Sequence, residues 1–239
     1  MIDVTAPAEG VVLLTLNRPE RRNAVDLDAA TALGDALLST EARVAVVTGA
    51  GGHFSAGADL GGVDQDVFVA ALTRALDALR QPRLVTIAAI DGAALGVGVQ
   101  LSVCADLRVA TPAARIGIPA AKLGLAVDHE SLRRLASMVG EGTARAMALA
   151  TMDIDGRRAF DLGFAQKLGD LDVALAWATE IAALAPLTIA AHKLGLELAG
   201  GRADHPDYAD ARRLAWNSAD LQEGMAAFRE RRPPRFDGR

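Results

Sequence analysis

The chain has 239 residues, of which 51% are hydrophobic and 23% charged, and its formal net charge is −5. Such a composition buries a core and excludes a disordered chain, and the acidic balance argues against a nucleic-acid binder, which carries a basic face. The single cysteine, Cys104, excludes an internal disulfide.

The start, Met-Ile-Asp-Val-Thr, has no basic segment followed by an apolar run. Apolar stretches elsewhere are broken well short of the roughly 20 residues that span a bilayer. The expectation is a cytoplasmic protein without a membrane span. His53 and His129 have no partner at a metal-ligand spacing, so no metal is expected.

Val11–Leu16 is a short apolar run rich in β-branched residues and reads as a strand. Asp26 is placed to cap a helix running to about Leu38. Val44–Thr48 is a second strand, closed by the glycine turn at residues 49–52. Apolar residues at helical spacing over Val67–Leu79 predict a helix ended by Pro82. Leu84–Ile90 and Cys104–Val109 read as further strands, with a short helix over Ala93–Val103 between them. Strand and helix alternate as in parallel βαβ units, which defines an α/β class. From Asp128 onward the pattern predicts helices only, the last over about Ala219–Arg231. A division follows: a βα core over 1–185 and a helical region over 186–239.

Two glycine-rich segments follow strands and invite a chemical reading. The first spans Gly49 to Leu60. A dinucleotide fingerprint beginning at Gly49 needs glycine where Phe54 stands, and a nucleophile elbow around Ser55 needs glycine where His53 stands, so neither applies. What is left is a loop, Ala56-Gly57-Ala58-Asp59, whose small residues let a ligand approach the backbone. The second segment, Asp91 to Gln100, opens a helix whose first N–H groups are unpaired. Two such segments side by side can aim two N–H donors at one oxygen, the arrangement of an oxyanion hole.

Four blocks then carry a family resemblance: Leu14 to Ala24, Phe54 to Leu60, Ile90 to Gly98, and Glu223 to Phe228 followed by Arg231-Arg232. In order and spacing the chain resembles the enoyl-CoA hydratase/isomerase, or crotonase, superfamily. The resemblance implies a crotonase ββα spiral with a C-terminal helical region used for trimerisation and for covering CoA. It implies an acyl-CoA ligand, no other cofactor, and a homotrimer or dimer of trimers. Backbone N–H groups of Ala56 and Val97 would hold the thioester oxygen. Arg21, Arg22, Ala24, Ala58, Asp59, Leu60, Phe228 and Arg231 would contact CoA.

The chain departs from the family at both acids of a hydratase. Gln100 and Ala120 occupy the two glutamate positions. An amide and a methyl group cannot exchange protons, so hydratase activity is expected to be weak or absent. Asp128 matches the position of an aspartate that serves other family members in isomerisation or thioester hydrolysis, and it is also placed to cap a helix. The stretch Leu123–Gly140 and the tail Arg232 to Phe236 are similar to mycobacterial homologues of the hydratase that lack both glutamates. That likeness implies a long acyl-CoA ligand and a lipid-synthesis enzyme as partner.

Overall fold

The computed structural model describes residues 1–59, 61, 64–198 and 206–239. A hairpin of β1 (Ile2–Ala8) and β2 (Val11–Leu16) starts the fold, and α1 (Leu27–Ser39) and β3 (Val44–Gly49) follow. Next come α2 (Gln65–Leu79), β4 (Val85–Ile90), β5 (Ala93–Leu95), α3 (Val97–Cys104), β6 (Leu107–Ala110) and β7 (Arg115–Gly117). The chain continues through α4 (His129–Val139), α5 (Glu141–Leu149), β8 (Ile154–Asp155), α6 (Gly156–Asp161) and β9 (Lys167–Leu168). It ends in α7 (Leu171–Ala182), α8 (Pro186–Glu197), α9 (Pro206–Trp216) and α10 (Ala219–Glu230).

The strands form a six-stranded sheet ordered β1-β2-β3-β4-β6-β9 and a three-stranded sheet ordered β5-β7-β8. β1 runs antiparallel to β2, and the large sheet is parallel from β2 onward. Between β4 and β6 the chain leaves the large sheet, adds β5 to the small one, and returns through α3. This stepping between two sheets is the kind of spiral that the family resemblance implies.

Strand alternation sends Val44, Val46, Val85, Ile87 and Val109 to one face, where Ala174, Ala178 and Ile181 of α7 cover them. Ala45, Val47, Ala88 and Ile90 point the other way, into a larger core with α1, α2 and α3. All eight residues of α3 are buried, as befits a helix that is almost entirely apolar around its circumference.

Three sequence expectations change. The segment 93–103 divides into β5 and a helix that starts only at Val97, because Ala93 and Ala94 pair with Arg115 and Ile116 of β7. Cys104 closes α3 instead of opening a strand, and β6 begins at Leu107. The region after Asp128 also holds two short strands, β8 and β9, each of two residues. A two-residue strand is held by pairing with β7 or β6 and leaves no periodic trace.

One polar staple crosses from the helical region into the core. Lys193 of α8 is buried, and its Nζ donates to Leu79 O at 2.9 Å, Leu84 O at 2.6 Å and Asp106 Oδ2 at 2.8 Å. The same carboxylate oxygen accepts from the Thr86 N–H and hydroxyl. Removing one member of a buried pair leaves the other charge uncompensated, which costs about 3–5 kcal/mol. Lys193→Met should therefore lower the melting temperature by about 10 °C, taking about 3 °C per kcal/mol for a chain of this size. Thermal unfolding followed by circular dichroism measures it, and a drop under about 2 °C would mean the staple is dispensable.

Candidate functional site

The two glycine-rich loops lie edge to edge. Ser55 N–H donates to Ala93 O at 2.8 Å, and Leu95 N–H donates back to Ser55 O at 2.9 Å. His53 Nδ1 accepts the Ala93 N–H at 3.2 Å. His53 is thus a turn residue that ties the loops. Gly98 is required where α3 passes Ser55, since a Cβ there would stand 2.9 Å from Ser55 O. Gly92 has φ +51 and faces Gly52 O, which a Cβ would meet at 2.1 Å.

A third segment, residues 18–26, braces the first loop. Asn23 is buried and donates from Nδ2 to Ala50 O and His53 O, while its Oδ1 accepts from Arg18 N–H. Arg18 bonds Ala24 O at 2.9 Å, Asp59 at 3.0 Å and Asp26 at 2.8 Å. The Arg18 guanidinium holds the Asp59 carboxyl below its usual range, outweighing the cost of burial. Arg18 was missed as a site residue although it lies in the Asn-Arg-Pro turn that helps carry the resemblance.

The amides of the first loop divide differently from expectation. The Ala56 N–H is donated to Arg22 O at 2.9 Å, so it is not available to a ligand oxygen. Val25 takes the Gly57 carbonyl and the Asp59 N–H, the pattern of a parallel bridge centred on Ala58. The Ala58 N–H is thereby turned away from Val25, and it has no acceptor among the described residues. The Val97 N–H sits at the first position of α3, where no intrahelical acceptor exists. Gly57 packs against Leu95 O and Gly96 against Gly57 Cα, so these two amides belong to touching segments.

Both residues line a cavity of about 550 Å³, within the range for small-molecule sites. Gln100, Ala120 and Asp128 line it too, and Phe68 and Leu72 form part of an apolar wall. Gln100 is buried, and its Nε2 donates to Asp128 Oδ2 at 2.7 Å. Asp128 Oδ1 accepts the Ser131 N–H at 2.9 Å and so caps α4. Burial opposes ionisation of Asp128, but the donors at Ser131 and Gln100 prevail and hold its pKa below the ordinary value. Asp128 is therefore an ionised carboxylate with both oxygens engaged.

Of the remaining expected contacts, Arg21 and Arg22 are exposed on the turn beside Ala24, and Leu60 lies outside the described residues. Phe228 and Arg231 are not brought to this cavity. Phe228 is 86% exposed and lines a separate hollow among α8, α9 and α10 with Trp216 and Phe236, and Arg231 is the exposed cap of α10. A different charged group enters instead. Glu130 lines the cavity, binds Arg133 and Arg134, and lies 3.5 Å from Arg80. Among the described residues there is no cluster of three metal-ligating side chains, and no single helix is long and apolar enough to cross a membrane.

The family model for enoyl-CoA hydratase/isomerase matches residues 7–239. "Probable enoyl-CoA hydratase echA6" of Mycobacterium tuberculosis is 41% identical over the full length of both chains. The 2,3-dehydroadipyl-CoA hydratase of Escherichia coli is 33% identical over 99% of this chain and 98% of that one. Among solved structures, enoyl-CoA hydratase from Mycobacterium tuberculosis H37Rv superposes with a TM-score of 0.85 at 32% identity, covering 100% of this chain and 99% of that one. The chain belongs to the enoyl-CoA hydratase/isomerase family, and its fold is that of the crotonases.

Arg133 and Arg134 hold the Glu130 pKa down to about 2 from 4.5, against the cost of burial. The unfolded chain takes up this proton near pH 4.5, whereas the folded chain resists until about pH 2. The stabilising contribution is thus complete above pH 4.5 and is lost as pH falls through that window. Glu130→Gln should lose less stability than the parent between pH 6 and pH 3 in urea unfolding. Identical acid losses in the two proteins would refute the assignment.

Proposed function

We propose that the protein binds an acyl-CoA thioester with its carbonyl oxygen between the main-chain amides of Ala58 and Val97, and that it hydrates enoyl-CoA weakly or not at all. The carrying observation is a cavity in which Gln100 and Ala120 occupy the positions expected of the two acids. The thioester is polarised by the two amides, as in an oxyanion hole. No side chain at 100 or 120 positions water or moves its protons, so addition to a double bond lacks the general acid–base contribution of about 10²–10⁴-fold per group.

Asp128 supports a second reading, an isomerase or thioester hydrolase in which this carboxylate is the base. It lines the same cavity and is ionised, but its lowered pKa and its engaged oxygens make it a weak acceptor of protons. On either reading the CoA moiety lies along Ala24, Ala58 and Asp59, and Arg21 or Arg22 meets its phosphates as guanidinium groups do.

The helical region over 186–239 is assigned to subunit contact. Exposed apolar side chains on α8–α10, among them Leu196, Trp216, Met225 and Phe228, support a homotrimer or dimer of trimers. In that assembly Phe228 and Arg231 would cover CoA bound to a neighbouring subunit. A long acyl ligand, a lipid-synthesis enzyme as partner and a cytoplasmic location complete the reading.

Calorimetric titration with saturated CoA thioesters should show saturable binding, and the same preparation should fail to hydrate crotonyl-CoA at ordinary enzyme rates. Steady rapid hydration would overturn the proposal. In Gln100→Glu/Ala120→Glu, hydration should rise by at least about 10²-fold, the lower value for restoring a general acid or base. If Asp128→Asn abolishes turnover of some CoA thioester while leaving its binding intact, the second reading replaces the first.

A further inference from the structure

One face of α3 shapes the cavity where the two amides lie. Val97, Gln100 and Cys104 stand at positions i, i+3 and i+7 of that helix, and all three line the cavity. Residues at this spacing project their Cβ atoms from one side of a helix. The Gln100 side chain reaches Asp128, itself a lining residue, so this side is the one turned to the cavity. The Val97 isopropyl group projects from the same side. It is 4% exposed, between Phe68 at 3% and Leu76 at 6% in the same lining. Gly57 and Gly96 bring no side chain to this end of the cavity, and Ala56 and Ala58 bring only a methyl group each, so Val97 supplies the bulk there.

A hydrogen bond from the Val97 amide fixes what this bulk meets. The amide nitrogen is two bonds from the Val97 Cβ, and a thioester carbonyl oxygen is two bonds from C2 of its acyl chain. A hydrogen bond of about 2.9 Å joins the two ends and brings C2 beside the Val97 γ-methyl groups. Val97 has little freedom to turn aside, because valine in a helix has one strongly preferred χ1 rotamer. Beyond C2 the cavity continues along α3 toward Cys104. There it is lined by Gln100, whose amide is held by Asp128, and by Ala120, which presents only a methyl group. The crowding therefore falls on C2 and eases from C3 onward.

We propose that Val97 determines specificity at C2: the cavity admits acyl thioesters unbranched at that carbon and turns away those fully substituted there, whereas a branch at C3 is accepted. The inference rests on the acyl-CoA reading of this cavity. A close-packed wall yields little, so an extra methyl group forced against it weakens binding.

The test is calorimetric titration of the parent, Val97→Ala, Val97→Thr and Val97→Ile with pentanoyl-, 3-methylbutanoyl- and 2,2-dimethylpropanoyl-CoA. These acyl groups are achiral isomers, so a difference among them reports shape at fixed carbon count. The parent should bind pentanoyl-CoA and 3-methylbutanoyl-CoA about tenfold more tightly than the 2,2-dimethyl isomer, the scale on which overpacking costs. In Val97→Ala that ratio should fall below about threefold. Val97→Thr, which keeps the branched shape, should keep the ratio. Val97→Ile, which adds a methyl group, should widen it, so the series decides even if the alanine variant folds poorly. Equal affinity of the parent for pentanoyl-CoA and the 2,2-dimethyl isomer would overturn the inference. So would rejection of 3-methylbutanoyl-CoA as strong as that of the 2,2-dimethyl isomer, or a ratio that neither alanine nor isoleucine moves. If pentanoyl-CoA binds while the preference is absent, only this inference falls; if no thioester binds, the acyl-CoA reading falls with it.

Discussion

The exchange of hydrogen bonds between Ser55 and β5 holds the site together. Ser55 gives its N–H to Ala93 and receives that of Leu95, and Gly98 lets α3 start against the Ser55 carbonyl. Without that close approach, the Val97 amide at the head of α3 and the Ala58 amide on the loop would be separate features of separate βα units. Because of it they belong to one wall. Arg18 and Asn23 brace the loop from the other side, so its small residues are held in place without side chains of their own. Electrostatic stabilisation of a developing charge depends on donors fixed in advance of the reaction.

At the two positions where the resemblance puts a hydratase's acids, the cavity is lined by Gln100 and Ala120. Gln100 directs its amide at Asp128, and Asp128 divides its two oxygens between that amide and the cap of α4. This pairing makes a carboxylate in the cavity a structural acceptor, held ionised by its donors. On the proposed reading, polarisation and proton transfer are separable functions of the fold: the amides of Ala58 and Val97 serve the first, and Gln100 and Ala120 offer no acid for the second.

Much of the fold was legible where periodicity is long. The Asp26 cap, the helices at 65–79 and 129–139, and the buried strands at 44–49 and 85–90 carry their patterns in consecutive residues. β8 and β9 were not legible, because two residues have no period and their pairing is decided by distant strands. The cavity's small-residue loops were legible through the family resemblance, yet the amide expected to be free, that of Ala56, is taken by Arg22 O, while that of Ala58 has no acceptor among the described residues. Which amide of Ala56-Gly57-Ala58 is free depends on Arg22 and Val25, more than thirty residues earlier in the chain. Arg80 and Glu130 were not seen as cavity residues for a similar reason: only the packing of α2, α3 and α4 brings them together.

In the proposed function, two main-chain amides converge on one carbonyl oxygen. Isotope-edited infrared difference spectroscopy of a saturated acyl-CoA, labelled with carbon-13 at the thioester carbonyl, tests that directly. On binding, the labelled carbonyl stretch should move to lower frequency, as it does when an oxygen accepts two hydrogen bonds. A stretch that stays at its solution position in the fully bound complex would contradict the account.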